Sequence, residues 1–157
     1  MSKVYVYTRN SNAEAFEKGS SRETQIKKCR NYASIKDLIV DEVIEEQCSG
    51  QIPFERREKA YELLRKLKTN DHIICSHLDR FCRNTLSLLQ TIQKFKKKKI
   101  YLHFVDLNCE TTGSDAIGNV FLTMLSCFAQ FQAEQTSQKI KSYKERMKTE
   151  NKFSGGK

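Results

Sequence analysis

Two short stretches of this chain carry residues able to do chemistry. "YTRNS" places the hydroxyl of Ser11 two residues after Arg9, where an alternating hydrophobic segment gives way to polar sequence. "LDRFCRN" places Asp79, Arg80 and Arg83 at the start of a helical pattern. A serine hydroxyl is a weak nucleophile that needs activation and a partner for the charge it creates. Several guanidiniums, always protonated and able to donate in pairs, suit the non-bridging oxygens of a phosphodiester. Preorganised donors of this kind contribute on the order of 10²–10³ in rate apiece. The chemistry indicated is attack on a phosphodiester without a metal ion or other cofactor.

These residues need elements to position them. Val4 to Thr8 alternates Val and Tyr as a strand does. "SSRE" at 20–23 has the spacing of a capping box, with Ser20 as N-cap, opening a helix to about Ala33 with Ile26, Cys29, Arg30 and Ala33 at helical spacing. Leu38 to Ile44 predicts a second strand. A helix from about Glu55 to Lys68 would bury Ala60, Leu63, Leu64 and Leu67. "HIICSH" predicts a third strand. "DRFCRNT" leads into a helix to about Lys97 that would bury Leu86, Leu89, Ile92 and Phe95. "IYLHFV" predicts a fourth strand, and Ser114 or Asp115 would cap the last helix.

Strands alternating with helices predict an α/β fold: a mostly parallel central sheet of about four strands, flanked by helices. Active sites of such sheets lie beyond the carboxyl ends of the strands, where Ser11 and Asp79 both fall. The last helix would run from about Ala116 past Met147. Its first half carries Ile117, Val120, Phe121, Met124, Leu125, Phe128 and Phe131 at spacings of three and four. Its second half carries Lys139, Lys141, Lys144, Arg146 and Lys148. Two readings stand: a helix that packs in a core or dimer and then projects toward DNA, or a core helix with a solvated tail.

The 157 residues bear a net charge of +9, which favours a polyanionic partner, nucleic acid first. The run "KFKKKK" at 94–99 complements a helix C-terminus and could also meet a DNA backbone. No run of consecutive apolar residues approaches the roughly 20 that span a bilayer, and "MSKVYVYTRN" has no signal-peptide core, so no membrane partner and a cytoplasmic, nucleoid-associated location are expected. The six cysteines form no C-x-x-C pair and read as reduced thiols, Cys29 and Cys127 on apolar helix faces. His72, Cys75, His77 and Cys82 cluster in sequence, but strand alternation would send them to opposite faces, against a zinc site. No G-x-G-x-x-G or P-loop pattern follows the first strand, which argues against a nucleotide-binding protein.

Taken in order, these motifs resemble the serine recombinase family of resolvases, invertases and large serine integrases and transposases. The Y-x-R-x-S motif matches Tyr7, Arg9 and Ser11; a first-helix glutamine matches Gln25; S-G…R matches Ser49, Gly50 and Arg57; L-D-R-x-x-R matches Leu78, Asp79, Arg80 and Arg83. A final helix opening with glycine matches Gly118 to Gln130. The chain departs from the pattern at Ala15, at Glu45 and Glu46 before the S-G pair, and at Gln132 and Ala133, where the family usually has Glu-Arg.

The resemblance implies a site-specific DNA recombinase in which Ser11 joins the 5′ phosphate and frees a 3′ hydroxyl, with no metal, ATP or other cofactor. It implies double-stranded DNA as partner and a homodimer that becomes a tetramer during strand exchange. Residues 1–150 would be the catalytic domain, and 151–157 the start of a linker to a DNA-binding region. The alternative is a catalytically impaired, recombinase-like regulator that binds DNA or dimerises. Asp79 would orient the arginines or cap its helix. Arg57 would clamp phosphate or be surface charge, Gln25 would hold the serine loop or lie on the helix surface, and Tyr7 would line the site or pack in the core.

Overall fold

The computed structural model describes residues 1–11, 22–82, 84–112 and 115–149. Ser20, Arg83 and Ser114 lie outside the described residues, as do Ala15 and the expected linker at 151–157. The described chain forms β1 (Val4–Asn10), α1 (Arg22–Ile35), β2 (Glu42–Gln47), a 3-10 turn (Phe54–Arg56), α2 (Glu58–Lys66), β3 (His72–Cys75), α3 (Leu78–Phe81), α4 (Thr85–Lys98), β4 (Tyr101–Phe104), β5 (Cys109–Glu110) and α5 (Ala116–Thr149).

The expected α/β architecture is what the chain adopts, with five strands in place of about four. The sheet order is β2-β1-β3-β4-β5. The first four strands are parallel, and the two-residue β5 runs antiparallel beside β4. So short a strand has no periodicity to read, which is why it escapes a sequence pattern. The chain leaves β1 toward β2 on one side and returns to β3 on the other. The carboxyl ends of β1 and β3 therefore flank a topological switch point, where α/β sheets open a crevice.

Alternation along the strands divides the core. Tyr5, Tyr7, Ile73 and Cys75 face α2, α3 and α4, packing with Leu63, Phe81, Leu88, Ile92 and Phe95. Val4, Val6 and Ile74 face α1, packing with Cys29, Tyr32 and Ala33. On α1, Gln25 and Tyr32 join Cys29 and Ala33 as buried residues, whereas Arg30 is exposed.

Several expected boundaries move. β2 begins at Glu42 rather than Leu38: Leu38 and Val40 pack against the α1 layer before the strand starts, and the Asp41 carboxylate accepts the Val4 N–H at 2.7 Å. The helix expected from Glu55 to Lys68 is interrupted at Arg57, whose extended backbone (φ −80°, ψ 142°) separates the 3-10 turn from α2. It ends at Lys66, with Leu64 and Leu67 only partly buried. The helix expected from "DRFCRNT" is two helices. Cys82 is extended (φ −153°, ψ 141°), and Asn84 restarts the chain by accepting the Ser87 N–H at 2.9 Å. The restart shifts the phase, so Leu88 is buried and Leu86 is 52% exposed. Asp115 does precede and cap α5, accepting the Ile117 N–H at 3.2 Å.

At 34 residues α5 is about 50 Å long. Leu125, Phe121 and Leu122 reach the core. Leu122, outside the expected stripe, therefore packs inward, while Ile117, Val120, Met124, Phe128 and Phe131 of that stripe are more than half exposed, and Cys127 is exposed beside them. By length and composition alone α5 is the one helix among the described residues apolar enough to cross a membrane, which corrects the expectation that none would be. Its apolar character comes from an absence of charge up to Ala133 rather than an unbroken apolar run, since Asn119, Thr123, Ser126, Gln130 and Gln132 interrupt it. Gly118 lets this helix lie on β5. A Cβ there would collide with the Glu110 carbonyl oxygen, a backbone atom that cannot move aside cheaply.

Candidate active site

β1 delivers the first group of side chains. Tyr7 and Arg9, two residues apart, share the face that meets α2 and α3, and both have no solvent exposure. Ser11 follows the strand directly and is half-buried. On the neighbouring strand end, the segment after β3 turns into α3, whose first turn carries Asp79 and Arg80.

Arg9 is locked by main-chain carbonyls, Nε to Arg80 at 3.2 Å and Nη1 to Cys48 at 2.8 Å. Arg57 is 1% exposed and is held by Nε to the Ile52 carbonyl at 2.9 Å. Its Nη1 donates to the Tyr7 hydroxyl at 3.0 Å and to the same Arg80 carbonyl at 3.2 Å. Two buried guanidiniums thus converge on one peptide oxygen of the L-D-R segment. Arg57 has no carboxylate partner among the described residues, and its Nη2 is buried without a hydrogen bond there. A charge held by neutral acceptors alone remains a positive potential available to an anion.

The Arg80 side chain is 12% exposed, with Nε 3.8 Å from Asp79 Oδ2. Asp79 is 53% exposed and stands inside the first turn of α3. The capping position belongs to His77, whose side chain makes no cap bond, so the capping alternative for Asp79 is corrected. Gln25 is buried and donates to the Asn10 side chain at 2.8 Å, beside Ser11, while its carbonyl lies 3.5 Å from Ser76 Oγ. The surface readings of Gln25 and Arg57 are thereby corrected as well. Arg83 lies outside the described residues.

Burial raises the Tyr7 phenol well above its ordinary value, and the adjacent Arg57 only partly opposes this. The phenol therefore stays protonated and serves as a fixed polar contact. Beneath Arg57 lies an aromatic floor: Phe54 stacks on Phe81 with centroids 4.1 Å apart and meets Tyr7 edge-on at 5.1 Å.

Three contributors escape the motif reading. Glu46, 6% exposed, accepts the Ala60 N–H at 2.9 Å and so caps α2, which begins just after Arg57. Its signal is an acidic residue before S-G, but nothing in that spacing says it is buried. Asp106, after β4, lies 3.6 Å from His77 and 3.4 Å from the Leu78 N–H, and so borders the L-D-R segment. The Arg80 carbonyl is main chain and leaves no trace in side-chain identity.

The four-residue zinc cluster does not assemble: among the described residues no group of three or more His, Cys, Asp or Glu could hold a metal. Instead His72 Nδ1 lies 2.9 Å from His103 Nε2, and His103 Nδ1 lies 3.3 Å from the Tyr32 hydroxyl, on the α1 face. The basic residues of α5 are all exposed, on two faces. At 100° per residue Lys141, Lys144 and Lys148 share one side, and Lys139 and Arg146 the other.

Residues 4–153 match the family model described as "Resolvase, N terminal domain". The Transposon Tn2501 resolvase of Escherichia coli is 26% identical over 134 residues, covering 85% of this chain and 65% of that protein. Serine recombinase PinR of Escherichia coli (strain K12) is 25% identical over the same length, covering 85% and 64%. The chain thus spans somewhat less than two thirds of the length of these relatives. The N-terminal catalytic domain of TP901-1 integrase superposes with a TM-score of 0.72 at 26% identity, covering 85% of this chain and 98% of that one. A resolvase family site-specific recombinase from Streptococcus pneumoniae shares the fold at a TM-score of 0.68 and 19% identity, covering 96% and 99%.

Proposed function

The chain belongs to the resolvase N-terminal domain family, and from that premise we propose that it is the catalytic domain of a serine-type site-specific DNA recombinase. The observation that carries this reading is the convergence of Arg9 and Arg57 on the Arg80 carbonyl, at the switch point beside Ser11. Names of the similar proteins, a transposon resolvase and a serine recombinase, support the same reaction class.

In this reading the Ser11 oxygen attacks a DNA phosphorus and loses its proton, and the bond from phosphorus to the 3′ oxygen breaks. That oxygen takes up a proton and leaves as a 3′ hydroxyl. The phosphoserine retains the ester bond, so a 3′ hydroxyl can reverse the step without ATP. Arg9, Arg80 and Arg83 stabilise the charge on the phosphoryl oxygens. Arg57 adds positive potential behind them, Asp79 orients Arg80, and Gln25 steadies the end of β1 before Ser11. The half-exposed apolar stripe of α5 is the contact for a second copy, and dimers pair into a tetramer for strand exchange. The basic second half of α5 then runs along double-stranded DNA.

The test is a trap with a nicked suicide duplex carrying the cognate site. The parent chain should form a covalent protein–DNA adduct stable to denaturation, and Ser11→Ala should form none while still binding duplex weakly. Adducts persisting in Ser11→Ala, or absent from the parent on its own site, would sink the assignment.

A further inference from the structure

The edge of the sheet opposite Ser11 carries a separate charge cluster. Lys3 precedes β1, Lys68 precedes β3, and Lys96, Lys97, Lys98 and Lys99 close α4 before β4. All six are exposed, and none forms an ion pair with a described residue. The turns holding them are tied together. The Asn70 N–H reaches the Lys99 carbonyl at 2.7 Å, and one carboxylate, Asp71, accepts the main-chain N–H of both Lys3 (2.8 Å) and Lys68 (2.8 Å). Asp71 is 2% exposed, so its charge faces inward. Asp41 at the same edge is likewise engaged by the Val4 amide. Asp71 and Asp41 keep their charge at this edge, but the six lysines outnumber them and none of the ammonium groups is paired to either.

We propose that this amino edge is a second duplex-binding surface, distinct from the catalytic edge, which holds the phosphate backbone of another DNA segment without reading its sequence. β1 separates the two edges: the eight residue steps from Lys3 to Ser11 span about 26 Å at 3.3 Å per residue. A duplex presented to Ser11 therefore leaves this edge free for a different segment. DNA fits better than an acidic protein. The cluster is dominated by lysine, with Arg65 at the end of α2 and Tyr101 at the start of β4 beside it. Protein interfaces are poor in lysine, whereas flexible ammonium groups suit a phosphate backbone without demanding a register. Part of the cluster also complements the C-terminal dipole of α4, a role compatible with phosphate contact.

The experiment uses the 157-residue chain with Ser11→Ala, so that cleavage does not intervene. Anisotropy of a labelled random-sequence duplex is followed across salt concentrations, with and without Lys3→Gln, Lys68→Gln, Lys97→Gln and Lys98→Gln together. Each lysine meeting a phosphate contributes about 0.9 to the slope of log K against log salt. The quadruple variant should lose at least ~10-fold in affinity and flatten the slope by ~2–4. A second arm immobilises one duplex and asks whether bound protein captures a second, labelled one. The parent should bridge the two, and the quadruple variant should keep the first and lose the second. Unchanged affinity and slope, with circular dichroism confirming the fold, would overturn the proposal. So would bridging that survives in the quadruple variant, or a patch that prefers polyglutamate to duplex. None of these readouts depends on the phosphoserine reaction.

Discussion

Arg57 and Tyr7 meet across 3.0 Å where neither side chain reaches water, the guanidinium donating to the phenol oxygen. Fifty residues apart in sequence, they form the polar floor of the site, and Phe54 and Phe81 exclude solvent around them. The consequence is rigidity: a buried cation with few acceptors cannot change rotamer without losing them.

Tyr7→Phe removes one of these acceptors and leaves the ring in place. A hydrogen bond to a charged group is worth about 1.5–3 kcal/mol, so urea unfolding should show a loss in that range. Cleavage of a suicide duplex should slow as Arg57 loosens. The Tyr7 phenol is raised in the folded state. Its stabilising contribution is therefore complete below the ordinary phenol value and fades as pH rises above about 10. The parent should lose stability in strong alkali more steeply than Tyr7→Phe.

Glu46→Ala withdraws the carboxylate from the Ala60 N–H and uncaps α2 at the residue that sets Arg57. A lost cap costs about 1 kcal/mol. If Glu46 positions Arg57, adduct formation should fall while duplex affinity holds, and Glu46→Gln, which keeps an acceptor oxygen, should restore part of the rate. Equal losses in both variants would assign the carboxylate a role beyond capping.

His103 is 5% exposed and is driven by burial, and secondarily by His72, down to about 3. His72 is lowered in the same direction, by burial first. For such groups the unfolded chain binds protons that the folded one refuses. Stability is thus complete above about pH 6.5 and falls by up to about 1.4 kcal/mol per pH unit for His103 alone as pH drops toward its folded value. Between pH 6.5 and 5, before most carboxylates titrate, unfolding free energy should decline in the parent. His103→Gln should flatten that decline.

Phe128→Glu places a charge in the exposed apolar stripe of α5, where Phe128 is 57% exposed. Folding should be unaffected, within about 0.5 kcal/mol. Sedimentation should show association of the parent and a monomeric variant. Replacing Gln132 and Ala133 by Glu and Arg should shift the same equilibrium.

Patterning and motif order carried much of the architecture. The β-branched runs and the helical spacing of apolar residues are local properties, and they marked four strands, the long helix and the edge on which Ser11 and Asp79 stand. Where the reading slipped, the cause was not local. The extended backbone at Arg57 and Cys82 breaks helices that periodicity would continue, and the restart at Asn84 exchanges Leu86 for Leu88. β2 starts at Glu42, where its pairing with β1 begins opposite Tyr5, a register that the local run from Leu38 does not encode.

Residue types alone were enough to nominate a serine and a set of guanidiniums, because nucleophilicity and permanent charge belong to side chains wherever they lie. What those arginines hold was decided only in three dimensions. Arg57 could have been surface charge, and Gln25 an exposed helix position. Packing buries both, directs Arg9 and Arg57 to the Arg80 carbonyl, and makes Glu46 a helix cap. A main-chain acceptor has no letter in the sequence, and burial is a property of what the rest of the chain puts around a residue.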